Sequence, residues 1–82
     1  MIESILSERQ NTYGEFIDNA TISQLLKDVL KKAPSYSRLT PIQKESLEMM
    51  MSKVSRIVCG DPNYKDSWVD IAGFATLGGE GI

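Results

Sequence analysis

Thr40-Pro41-Ile42-Gln43 is the passage that most restricts how this chain folds. Thr40 is a natural helix N-cap, Pro41 suits the first helical position because its missing N–H has no partner there anyway, and Gln43 completes a capping box. Behind it Leu47, Met50, Met51, Val54, Ile57 and Val58 recur at i, i+3, i+4 and i+7 without a gap. The spacing predicts one continuous amphipathic helix, with these residues as its core face and Gly60 in a left-handed C-terminal position.

Flanking segments follow the same period. Residues 2–9 carry Ile2, Ile5 and Leu6 at helical spacing, enough for two turns that need docking to persist. A second helix is expected over about residues 14–32, bent or delayed by the polar Asp18-Asn19 step and stopped by Pro34. Asp61-Pro62-Asn63 reads as a turn, and a last helix is expected from residue 64 or 65 to 77. The fold class is therefore all-α, three main helices plus a short N-terminal one in a single domain over residues 1–77. The Gly-rich residues 78–82 are expected to form a flexible tail.

Composition narrows the chemistry. Eighty-two residues make one domain and bury only about two-thirds of the unfolded surface, so a partner subunit adds much to stability. No His excludes imidazole bases and ligands, and a single Cys excludes intrachain disulfides and Cys-rich zinc sites. A net charge of -2 argues against a dedicated nucleic-acid binder. No apolar run reaches the roughly 20 residues of a membrane span, the first residues lack signal-peptide character, and the lone thiol of Cys59 fits a cytoplasmic setting. In the last helix Trp68, Ile71, Ala72 and Ala75 are joined by Phe74 and Leu77 in an unusually wide apolar arc. The bundle is expected to be completed by a homo-oligomer, a dimer or higher, in which this helix and part of the preceding one meet symmetry mates. A greasy monomer surface is the simpler alternative.

What remains for a site is oxygen, nitrogen and aromatic chemistry. Glu45 and Glu48 are three apart on one helix and Asp66 and Asp70 four apart on the next, so the two pairs are candidates for one cation, with Mg²⁺ the natural choice for oxygen-only ligation. Solvated helix faces and structural ion pairs account for the same carboxylates. Lys53, Arg56 and Arg9 offer phosphate contacts, and Tyr13, Tyr64 and Trp68, with Tyr36, offer stacking surfaces. Arg56 clamping Asp66 or Asp70 is an equally good account of that residue. In the turn Asn63, Tyr64 and Lys65 open the last helix, where outward N–H groups suit a phosphate, although turn chemistry alone explains the composition.

Glu8-Arg9, Thr12 to Phe16, Glu45 to Met49, Lys53 to Ile57 and above all the Gly60 to Phe74 block resemble a family of small bacteriophage and prophage proteins of unknown function. The resemblance spans most of the chain and implies an all-helical fold in a phage setting. More loosely, Glu45-x-x-Glu48 is similar to the first metal-binding pair of the all-α MazG and dimeric dUTPase-type pyrophosphatases. Their second pair, E-x-x-D, is matched by Asp70 alone, since Ser67 occupies the other position. By this resemblance Lys53 and Arg56 face phosphates. The expected function is capture of a nucleotide or nucleotide-derived signal, or of a host defence component, in a pocket between subunits. The alternative is a Mg²⁺-dependent nucleoside triphosphate pyrophosphatase with a degenerate metal site.

Overall fold

A computed structural model describes residues 1–82 as four α-helices with no strand: α1 (Ile2–Tyr13), α2 (Phe16–Lys31), α3 (Pro41–Cys59) and α4 (Lys65–Gly79). A 3₁₀ turn, Tyr36–Arg38, joins α2 to α3. The all-α expectation holds. The capping box forms as expected, Gln43 N–H donating to Thr40 Oγ1 at 3.1 Å and Thr40 N–H to Gln43 Oε1 at 3.0 Å.

Three boundaries differ from the sequence reading, each for a local reason. The N-terminal helix is three turns long instead of two, running on to Tyr13, and Gly14 ends it with φ +83°. The Asp18-Asn19 step neither bends nor delays α2, because Asn19 turns its side chain to α3 and accepts from Ser55 Oγ at 2.6 Å. At the far end α4 continues two residues beyond Leu77, so Gly78 and Gly79 are helical and only residues 80–82 lie beyond it.

Gly60 is not left-handed, with φ -124° and ψ -136°. Its lack of a side chain matters for a different reason: a Cβ there would strike the Thr12 carbonyl oxygen and lie 2.5 Å from the Tyr13 backbone. Gly14 is the reciprocal case, since a Cβ on it would strike the Cys59 carbonyl oxygen. The α1–α2 junction thus lies backbone on backbone against the end of α3, and Asp61 N–H donates to Thr12 O at 2.7 Å to close the contact.

Central α3 packs antiparallel on α2 along one side and on α4 along another, and serines make both seams. Toward α2, Ser55 is fully buried and its hydroxyl reaches Asn19 O at 2.8 Å, while Ser23 Oγ and Ser52 Oγ lie 3.5 Å apart. Toward α4, Ser46 backs onto Gly78 and Ser67 is buried. Small side chains let helix axes approach closely. The consequence corrects the expected core face of α3: Ile57 is the one buried hydrophobic residue, and Val58 is 66% exposed. At about 100° per residue, Leu47, Val54 and Val58 form a row roughly 80° from the Ile57 line facing α4 and from the Ser55 line facing α2, so the neighbours leave Leu47 and Val54 half-buried and Val58 exposed.

Substituting Ala for Gly14 or Gly60 should lower stability by about 1–3 kcal/mol, from enforced backbone strain or overpacking. Gly73→Ala, where the Cβ meets open space, should instead stabilise by up to about 1 kcal/mol. Urea unfolding of the three variants checks the contrast, and equal behaviour would remove the backbone contact as the cause.

Candidate functional site

The glycine contact brings α1, the end of α3 and the start of α4 to one place, and a basic and aromatic cluster forms there. Arg56, in the last turn of α3, lies over the Tyr13 ring with its guanidinium carbon 4.5 Å from the centroid, a cation–π contact. The rings of Tyr13 and Tyr64 meet edge to face, 5.8 Å between centroids and 85° between planes. Tyr64 Oη donates to Asp66 Oδ2 at 3.3 Å. The Asp66 carboxylate first, and then Tyr13, hold the Tyr64 phenol above its ordinary value of 10.0, because a phenolate would sit beside an existing negative charge. Arg9, one turn before Tyr13 on α1, shares with Tyr13 and Arg56 a cleft of about 270 Å³ between α1 and α2.

Four expected ligand residues are therefore gathered: Arg9, Tyr13, Arg56 and Tyr64. Residues not singled out from the sequence complete the cleft, notably Leu6, Gln10, Glu15 and Phe16. Gln10 Nε2 donates to Glu15 Oε1 at 2.6 Å across the α1–α2 break, and Phe16, the first residue of α2, is 83% exposed at the rim. The signal for them was the Tyr13-Gly14-Glu15-Phe16 sequence, legible as a break only once Gly14 is known to be left-handed.

Other expected residues have different employment. Lys53 donates to Asp70 Oδ2 at 3.0 Å, its side chain only 13% exposed against 46% for the carboxylate. In the 61–64 turn the backbone donors are consumed internally: Asn63 N–H goes to Asp61 Oδ1 at 2.9 Å and Tyr64 N–H to Asp61 O at 3.3 Å, so this turn is not an open phosphate cradle. Trp68 Nε1 donates to Pro62 O at 2.9 Å, tying the indole to the turn. Lys65 is exposed, and Tyr36 lies under the Lys44 ammonium, 5.1 Å from its ring centroid.

The four carboxylates do not converge. No three acidic side chains lie close enough to hold a metal ion, so the Mg²⁺ site expected from Glu45, Glu48, Asp66 and Asp70 does not fit the geometry. Asp70 is neutralised by Lys53, Asp66 receives Tyr64, and Glu45 lines a groove at the opposite end of α3 with Thr40, Ile42 and Leu77.

Fold and cluster together define a small antiparallel helical protein with an arginine and tyrosine cleft on one side. The chain belongs to the family described as a domain of unknown function, DUF6378, which it matches over residues 2–81. No curated protein and no solved structure matches it.

Asp66→Asn should lower the Tyr64 pKa toward 10.0, read from phenolate absorbance against pH, and an unchanged titration would remove Asp66 as the cause. Because the folded-state value is raised, the associated stability is complete below the ordinary value and is lost as pH rises through the folded one. Asp70→Asn should cost about 1 kcal/mol, a figure kept small because that carboxylate is half exposed. Adding Lys53→Met should recover most of it in thermal melts, whereas strictly additive losses would deny the pairing.

Proposed function

We propose that the protein is an oligomeric binding module for an anionic ligand with a flat ring, of the nucleotide kind, and that it does not hydrolyse what it binds. The observation that carries this reading is Arg56 over the Tyr13 ring beside Arg9 in one cleft. Two guanidiniums against the single carboxylate of Glu15 leave a cationic lining suited to phosphate, and planar guanidinium forks bind phosphate oxygens in pairs. Exposed Phe16 at the rim, with Tyr13 inside, supplies π surfaces on which a base stacks. At about 270 Å³ the cleft stands near the lower end of small-molecule sites, which suits a mononucleotide better than an extended cofactor. Separation of the carboxylates weighs against the pyrophosphatase, because metal-assisted phosphoryl chemistry needs a cation held by converging oxygen ligands. The resemblance to phage proteins supports sequestration of a nucleotide-derived signal in the bacterial cytoplasm as the setting.

A thermal-shift screen against mono-, di- and cyclic nucleotides tests it. A ligand at a hundred times its Kd adds about 2.7 kcal/mol to the native state, a rise in Tm of about 10–20 °C for a domain of this size. Arg56→Ala should abolish most of that rise while the nucleotide is recovered intact. No shift from any nucleotide with the protein folded would overturn the binding reading, and pyrophosphate release in Mg²⁺ would restore the hydrolase.

A further inference from the structure

We infer that a second copy of this chain covers the apolar side of the helix layer formed by α2, α3 and α4, giving a two-fold dimer whose arginine and tyrosine clefts face outward. The interface deepens the oligomeric part of the reading above and is independent of the ligand.

The side in question is fixed by contacts between neighbouring helices. On α3 it is the row of half-buried Leu47 and Val54 and exposed Val58 between the two serine seams. Ile22 of α2 lines one shallow depression with Val58, and Val29 lies two turns further along the same stripe, 63% exposed. Ala75 of α4 lines another depression with Leu47 and Met50, and Trp68, seven residues earlier on the same stripe, is 55% exposed. The α3 and α4 rows carry no charged side chain, and on the α2 side Asp18, one turn before Ile22, stands at the edge of the depression it shares with Val58. Arg56 stands about 180° around α3 from Leu47, so covering the apolar side leaves the cleft free.

Area identifies the occupant. The chain exposes 5938 Å² of surface, whereas a compact monomer of 9.1 kDa exposes about 4,900 Å², an excess of about 1,000 Å². A standard stable interface removes about 800 Å² from each partner, so the surplus carried by the whole chain is of the size that one contact with a second copy removes. The shape agrees, with a radius of gyration of 14.1 Å against about 11.7 Å for a compact chain of this length. A two-fold interface needs one patch that complements itself, and a continuous apolar row on a central helix meets that requirement.

Light scattering on the purified full chain should give twice 9.1 kDa at micromolar concentration. Val29→Glu combined with Val58→Glu should give 9.1 kDa with unchanged helical circular dichroism, because both side chains are already exposed in the single chain. Val69→Glu, equally apolar and exposed but outside the face, should leave the dimer intact. A second readout needs no variant: Trp68, the sole tryptophan, should shift its emission to the red on dilution with the same midpoint as the loss of mass. A wild-type monomer at all concentrations would overturn the dimer, whatever the nucleotide screen shows. A dimer that resists the double substitution, or dissociates with no change at Trp68, would overturn this face as its interface.

Discussion

The close approach of the α1–α2 junction to the end of α3, possible because residues 14 and 60 lack side chains, is the contact on which the candidate site depends. It sets Thr12 O against Asp61 N–H and places the last turn of α1 beside the last turn of α3. Tyr13 then reaches Arg56, and the turn that follows Gly60 carries Tyr64 back onto Tyr13. None of these pairs is close in sequence. The longest side chains of the cluster meet because the shortest ones let the backbones touch.

A second constraint is the use of serine where a helical protein ordinarily places aliphatic side chains. Ser23, Ser46, Ser55 and Ser67 are buried and Ile57 alone represents the apolar residues at that depth. Such seams bring helices near one another, and on the α2 side the hydroxyls bond across them, Ser55 to Asn19 and Ser23 with Ser52, each hydrogen bond contributing about 1 kcal/mol net. A fully buried Leu or Val contributes about 1.5–3 kcal/mol. The single chain therefore gains little from its own interior, and many of its large apolar side chains, Val29, Val58 and Trp68 among them, stay exposed. That division also separates roles: polar and basic groups of the cleft occupy the side of α3 opposite the apolar row.

Electrostatics shape what the chain can do with its acids. Eleven carboxylates and nine basic side chains leave a small net charge, so local pairing decides their chemistry. Lys53, nearly enclosed, draws Asp70 to itself, and the Tyr64 phenol occupies Asp66. Carboxylates engaged in this way have little left for a cation. Arg56, by contrast, lies over an aromatic ring with no carboxylate paired to it, and it is this unpaired guanidinium on which the proposed anion binding rests.

The sequence by itself determined the helices. Capping at Thr40, the stop before Pro34 and the apolar period of α3 are local signals, and they were legible because helix formation is governed by residues within one turn of each other. It also held the residues of the cluster, Arg9, Tyr13 and Arg56 in the cleft and Tyr64 against Tyr13, but among eight ligand candidates nothing local distinguished these four from Lys53, Asn63, Lys65 and Trp68. Tertiary structure made that selection through the Gly14–Gly60 approach. It likewise decided that the row from Leu47 to Val58 looks outward, because periodicity marks which residues share a face and not which neighbour covers it. The same limit applied to the carboxylates: spacing put Glu45 beside Glu48 and Asp66 beside Asp70, while the relative rotation of α3 and α4, set by Ser46 on Gly78 and Lys53 on Asp70, kept the pairs apart.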